Sequence, residues 1–422
     1  MGKAVVVRCE MDLGANLRVF VETQTWMNLF SLIEVEMLIF AAQSHFVMNI
    51  IIASDSFKGC LSSVEAGRAM AEGVALSGTE ARVEVLPVSD GGEGMLDAFA
   101  ACAGAEFCEL QAHDPLMRSR ISRYAFSSET ATAFVELAET AGLTLLQPPE
   151  RHPMVTTTFG VGETLQAALR AGATRIIIGL GGSATNDGGM GLAVALGYRF
   201  LDGKGCELAP CGKNLAQVMR IDDSRVPLVC QEVEWVAACD VQAPLCGPQG
   251  AVRVFAAQKG ATSSELEELE AGMQHYGKVL SDYCGQDVRQ IPGAGAAGGV
   301  GAVVMGLLHA QMQSGISLLL RTPRYVSAFQ RAHLILTGEG KMDGQTSMGK
   351  AAWGVLQEGI RRQVPVWAIA GQVEGCRELL QSGFARLAAA TPEGMSLADA
   401  LQPHVARQNI RRTTCALFQK KE

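Results

Sequence analysis

From Met48 onward one unit recurs along the chain: a short apolar run, a polar glycine-containing loop, then an amphipathic helix. Parallel strands need long crossover connections, and both faces of their sheet must be covered, so this rhythm predicts a largely parallel sheet flanked by helices. Its sharpest instance is Arg175–Leu180, read as a buried strand, followed by Gly181-Gly182-Ser183-Ala184-Thr185-Asn186-Asp187-Gly188-Gly189 and a helix from Met190 to Leu196. Glycines let a backbone approach a ligand closely. A helix start offers free N–H groups and a positive dipole end, which suits phosphate. Asp and Asn are what a magnesium ion or a substrate hydroxyl would need. Taken alone, such a loop is equally well explained as a plain capped turn.

Four further loops of the same kind weaken that plain explanation. Ile50–Ala53 runs into Ser54-Asp55-Ser56-Phe57-Lys58-Gly59, where Lys58 can neutralise a phosphate. Arg82–Leu86 runs into Ser89-Asp90-Gly91-Gly92-Glu93-Gly94. Trp235–Cys239 ends at Asp240, with Gln258-Lys259-Gly260 downstream. Leu334–Leu336 leads into Thr337-Gly338-Glu339-Gly340-Lys341-Met342-Asp343. Ligands of parallel sheets bind beyond the carboxyl ends of the strands, where all five loops are expected. Lys58, Lys259 and Lys350, together with spare carboxylates, point to phosphoryl transfer. That chemistry asks for positioning, a metal ion and positive charge, plus a base near the attacking hydroxyl.

Two familiar patterns do not hold up. Gly293-Ala294-Gly295-Ala296-Ala297-Gly298 matches the dinucleotide fingerprint, but no Asp or Glu follows until Glu339, so the ribose-binding acid is missing. Gly344 to Lys350 nearly matches a phosphate-binding P-loop, but Ala351 stands where the metal-binding Ser or Thr belongs. The net charge of -8 argues against a nucleic-acid partner. The 12 cysteines form no CxxC pair and no HExxH occurs, which fits reduced thiols in the cytoplasm and no structural metal. Gly293 to Leu320 lacks charge, but its glycines and glutamines predict a loop, a buried helix and a strand rather than a membrane span. Residues 1–47 lack the strand–loop–helix rhythm and read as an extension whose removal leaves activity intact. Residues 110–150 read as β-rich.

These motifs, in this order and spacing, resemble those of the bacterial glycerate kinases that phosphorylate D-glycerate with ATP. The resemblance rests on Ala53–Gly59, Asp90–Gly94, Gly181–Gly189, Ala238–Val241, Gln258–Thr262, Pro292–Gly299, and Thr337–Gly340 with Asp343, Gln345, Thr346, Gly349 and Lys350. Ser89, His152, Gln242 and Lys341-Met342 depart from the family's usual residues without removing a charge assigned to chemistry.

The resemblance implies two interleaved α/β domains. One is a flavodoxin-like parallel sheet with helices on both faces, over 48–110 and 285–422; the other is a mixed α/β domain inserted over 111–284. It also implies ATP, Mg2+, a small hydroxy-acid substrate, and a 2-phosphoglycerate product in the catabolism of glyoxylate or sugar acids. Glycerate 3-kinase activity is the first alternative. Another small-acid kinase or phosphatase, an NADP-dependent oxidoreductase and a non-catalytic binding protein are the others. A homodimer is one option for assembly.

On this reading Asp187 is the first candidate to orient or deprotonate the hydroxyl, with Asp240 second and Lys58 on the phosphate. Asp55, Ser56, Gly59, Gly181, Gly182, Ser183, Asn186, Lys259, Gly293, Gly295 and Lys350 bind substrate or phosphate. Asp90, Glu93, Glu339 and Asp343 compete as magnesium ligands.

Overall fold

The computed structural model describes residues 6–11, 17–22, 47–57, 59–89, 91–92, 94–343 and 350–419, with backbone alone for 6–11 and 17–22. Lys58, Asp90 and Glu93 therefore lie outside the described residues.

Two sheets organise the chain. The first has five parallel strands in the spatial order Arg386–Ala389, Val366–Val373, Leu334–Met342, Met48–Ser54, Ala81–Val85. Numbered along the chain within this sheet, the order is 2-1-3-4-5, the flavodoxin-like arrangement. The second sheet has six strands, ordered Gln311–Gln313, Glu234–Ala238, Arg175–Gly179, Thr132–Glu136, Ser119–Ser127, Glu106–His113. Its first four strands are parallel and its last two antiparallel, so it is mixed. Glu106–His113 straddles the domain limit expected at 110. Gln311–Gln313 belongs to the mixed sheet although it was expected in the flavodoxin-like part.

The local signals explain the elements. Ser62 caps the helix Ser63–Leu76: its Oγ accepts from Glu65 N, while the Glu65 carboxylate accepts from Ser62 N at 2.9 Å. Thr262 and Glu265 repeat this box at the start of Ser263–Cys284. Val6–Met11 and Leu17–Glu22 pair antiparallel, a hairpin that no strand–helix rhythm announces.

The core is layered. Ile50, Ile52, Leu334 and Leu336 bury one face of the parallel sheet under the helices Ser63–Leu76 and Pro403–Gln419. Its other face, through Ile51, Ile335 and Ala368, meets the helices Met95–Ala103, Gly315–Leu320, Pro323–Gln330 and Ala351–Arg362. The same helices receive Ala125, Phe134, Ile177 and Val236 from the mixed sheet, so one continuous core joins the two sheets. Each fully buried large aliphatic side chain contributes about 1.5–3 kcal/mol. No helix among the described residues is long and apolar enough to cross a membrane.

Candidate active site

The carboxyl ends of Met48–Ser54 and Leu334–Met342 are neighbours, and the sheet order reverses between them. A crevice at such a switch point is where open parallel sheets bind ligands. Asp55 N donates to Gly338 O at 2.9 Å and Ser54 Oγ to the same oxygen at 3.2 Å, fixing the two strand ends together. Beyond them lies a cavity of about 450 Å³ lined by Asp55, Ser56, Glu339, Lys341 and Lys350. Its far wall is apolar, from Leu397, Leu401 and Ile410. Glu339 sits on the strand itself, since the segment expected to be loop from Thr337 continues as strand to Met342. Lys350 Nζ lies 3.6 Å from Glu339 Oε2 and 3.7 Å from Asp343 Oδ1, so three expected site residues meet at one point. Lys341 Nζ joins them, 3.7 Å from Asp343 Oδ2.

Ser56 also lines a second, smaller cavity of about 220 Å³. Its other walls come from Gly94 and Asp97 on one side and from Arg120, Arg123, Glu136 and Glu139 of the mixed-sheet part on the other. Glu136 ends a fully buried strand and receives Gly94 N at 3.2 Å and Leu96 N at 3.0 Å, capping the helix Met95–Ala103. Burial pushes its carboxyl up to about 7 against those two donors, with Glu139 and Asp97 adding to the rise. Sequence reasoning missed these residues. A carboxylate closing an otherwise apolar strand, Thr132–Glu136, is the signal that could have flagged Glu136.

The loop 181–189 follows the strand Arg175–Gly179 and is pinned on every side. Gly181 N donates to Gly91 O at 3.1 Å, and a side chain at Gly181 would meet Gly92 Cα at 2.2 Å. Leu143 N donates to Gly182 O, and Gly188 N to Gly298 O. The expected proton acceptor, Asp187, is buried to 0% exposure. Its Oδ2 accepts from Thr158 N and Thr158 Oγ1, both at 2.7 Å, from Gly191 N at 3.1 Å and from Thr157 Oγ1 at 3.4 Å; its Oδ1 accepts from Gly189 N at 3.0 Å. Burial raises its pKa against these donors. Saturated by donors and without exposed surface, the Asp187 carboxylate ties the loop to Thr158, Gly189 and Gly191.

Lys259 plays the complementary part. Its Nζ donates to Ser183 Oγ at 2.8 Å and Thr185 O at 2.7 Å, within the same loop. Burial drives the amine down to about 7, with Asp187 pulling the other way. Two acceptors match the two N–H groups of a neutral amine. Asn186 is fully buried beside it, and neither side-chain polar atom has a hydrogen-bond partner among the described residues.

Gly293 and Gly295 line neither cavity. Gly295 N donates to Ala243 O at 2.9 Å, and Gly293 packs near Met312 and Val241 O. Their segment supports the loop 181–189 from behind. Asp240 follows the strand Glu234–Ala238 and is half-buried. Gly59 has a φ of +82° and open space around it.

The glycerate kinase family model matches residues 50–420. A glycerate kinase of Bacillus cereus is 38% identical over 367 residues, covering 87% of this chain and 96% of that protein. The glycerate 2-kinase of Escherichia coli is 39% identical over 327 residues, covering 77% and 86%. In structure, the chain is similar to a putative glycerate kinase 2 from Salmonella typhimurium, with a TM-score of 0.74 and 35% identity over 88% of this chain and 97% of that one.

Proposed function

This chain belongs to the glycerate kinase family, and on that premise we propose that it transfers the terminal phosphoryl group of ATP to D-glycerate, giving 2-phosphoglycerate and ADP. The observation that carries this reading is the pair of cavities meeting at Ser56. The larger combines an apolar wall suited to a nucleobase with Lys341 and Lys350 suited to phosphates. The smaller is sized for a three-carbon acid. Transfer needs the two substrates to meet, and Ser56 is where they would.

Asp55, Glu339 and Asp343 supply hard oxygen donors around the nucleotide cavity, the ligand type that Mg2+ takes. Among the described residues no three such groups gather closely enough to hold the ion by themselves, so it would be shared with the phosphates, whose charge it would neutralise when bound. Asp90 and Glu93 remain candidates for the same role. Lys350, held between Glu339 and Asp343, would turn its ammonium to the phosphates. Asp187 and Lys259 fix the loop 181–189 that borders the acceptor side. Asp240 and Lys58 retain their expected roles as second candidate base and phosphate contact. The phosphoryl acceptor would then be processed in the cytoplasm as part of organic-acid catabolism, with the parallel-sheet domain carrying nucleotide and the mixed-sheet domain the acid.

The test is ADP release from ATP with D-glycerate, with and without Mg2+, followed by phosphorus NMR of the product. Magnesium-dependent ADP release and a phosphorus signal at the 2-position are expected. No ADP from glycerate would refute the kinase reading; a 3-phosphate would correct the position.

A further inference from the structure

The kinase reading requires the acid's carboxylate to be recognised, and among the described residues none of the cations singled out from the sequence lines the smaller cavity. The smaller cavity offers a candidate. At about 220 Å³ it falls below the roughly 300–1,000 Å³ typical of sites for drug-sized ligands. It therefore suits a small acid and not a nucleotide.

Its charges are paired in a revealing way. Glu136 is occupied by the N–H groups of Gly94 and Leu96. Arg123 is occupied by Asp97, with Nη1 at 3.1 Å from Oδ1, and by Glu139, with Nε at 3.1 Å from Oε1. Arg120 is different. It lines the same cavity, is half-buried, and its Nε donates only to Ile121 O, at 3.3 Å. Among the described residues no carboxylate pairs with it. At the boundary with the nucleotide cavity, Ser56 is 4% exposed and its Oγ has no hydrogen-bond partner among the described residues. A buried hydroxyl in that state is unfavourable unless something binds it. The cavity thus presents an uncompensated guanidinium and an unsatisfied hydroxyl, with the hydroxyl next to where the phosphoryl donor would lie. This is the polarity of a hydroxy acid bound with its carboxylate away from the nucleotide and its hydroxyl toward it.

We propose that Arg120 anchors the acceptor's carboxylate and that Ser56 Oγ engages its hydroxyl end, making this cavity a subsite for small monocarboxylic hydroxy acids. The proposal rests on the kinase reading above. A guanidinium matches a carboxylate bidentately, with two parallel charge-assisted hydrogen bonds.

Steady-state kinetics of Arg120→Ala and Arg120→Lys test it. In Arg120→Ala the KM for glycerate rises roughly 100-fold, the KM for ATP stays within about twofold, and the preference for glycerate over glycerol, which lacks the carboxylate, narrows. Arg120→Lys recovers part of the loss. An active Arg120→Ala enzyme with unchanged KM for glycerate overturns the anchor and leaves the kinase reading standing. A wild-type enzyme that releases no ADP with glycerate overturns the kinase reading instead. If Arg120→Ala is folded but inactive, calorimetric titration with glycerate decides: retained affinity overturns the assignment and lost affinity supports it. If it does not fold, Arg120→Gln, which keeps most of the side-chain volume, takes its place in the same measurements.

Discussion

Replacing Asp187 by asparagine separates a carboxylate that moves a proton from one that holds a loop. An asparagine can set its carbonyl oxygen at the Oδ2 position and keep the donors from Thr158, Thr157 and Gly191. Its amide then faces Gly189 N–H, which donates to Oδ1 across 3.0 Å in the native loop. Donor would meet donor there. One hydrogen bond to a charged acceptor is lost, about 1.5–3 kcal/mol, and the surviving donors meet a neutral oxygen. The buried site no longer carries a charge, which offsets part of this. The net cost is on the order of 2–3 kcal/mol, within a typical total stability of about 5–15 kcal/mol, so the variant stays folded at 25 °C.

Thermal unfolding and ADP release from pH 6 to 9 measure the outcome. The midpoint falls by roughly 2–4 °C, because a chain of this length unfolds with a large entropy. At 25 °C kcat falls less than about tenfold, with the pH profile unchanged in shape. A general base removed in the same way would cost about 100-fold or more in kcat. An unchanged midpoint together with such a loss would refute the loop-holding role and restore Asp187 as the proton acceptor.

Lys259 gives a pH signature. Its folded pKa is depressed to about 7, while an unfolded lysine keeps its proton to about 10.4. Between those values the unfolded chain binds the extra proton, so this residue makes stability rise with pH across that window and level off above it. Urea unfolding of the wild type and Lys259→Met at pH 7 and 9.5 reads the difference; equal slopes in the two proteins show that the folded lysine is charged. Gly298→Ala places a Cβ 1.9 Å from Thr185 O at a φ of +67°, and backbone on both sides cannot yield. A loss of about 3 kcal/mol or more is expected in thermal or urea unfolding, and native-like stability would remove that contact from the account of the loop. Lys350→Ala raises the KM for ATP about tenfold and leaves the KM for glycerate near its wild-type value; a change in stability alone would mean that Lys350 only balances Glu339 and Asp343.

The parallel-sheet rhythm was legible because it is local. Ile50–Ile52 and Ile176–Ile178 announce buried strands by composition, and Ser62 with Glu65 announces a helix start. The return from Ala81–Val85 to Leu334–Met342 through the whole mixed sheet was not visible in any window. It was implied by the resemblance, and even then the strands Glu106–His113 and Gln311–Gln313 fell across the expected limits. The site was half legible for a related reason. Polar loops advertise Asp55, Glu339 and Lys350, which do gather at one cavity. Asp187 and Lys259 look the same in sequence, yet both are buried: the loop 181–189 that contains Asp187 and accepts from Lys259 lies under a helix start that closes against it at Gly298. Arg120 and Arg123 fall in the stretch read simply as β-rich, because the cavity beside them forms only where distant segments, among them Gly94–Asp97 and Ser56, close over their strand.

The segment after Ala81–Val85 explains how two sheets so far apart in sequence can keep one site in register. Val88 N donates to Ser54 O at 3.2 Å, tying the segment to the strand end at the larger cavity. A few residues later Gly91 O accepts from Gly181 N at 3.1 Å, tying it to the loop of the mixed sheet. Both links are backbone to backbone, and Gly181 leaves no room for a side chain to come between them. The spacing between the two cavities is therefore set by main-chain bonds and does not depend on which side chains line the smaller one. Arg120, by contrast, reaches that cavity from an antiparallel strand outside this joint. If Arg120 anchors the acid as proposed, substitutions there change which acid is accepted without displacing the strand ends at the larger cavity, so their effect should fall on the KM for glycerate and spare that for ATP.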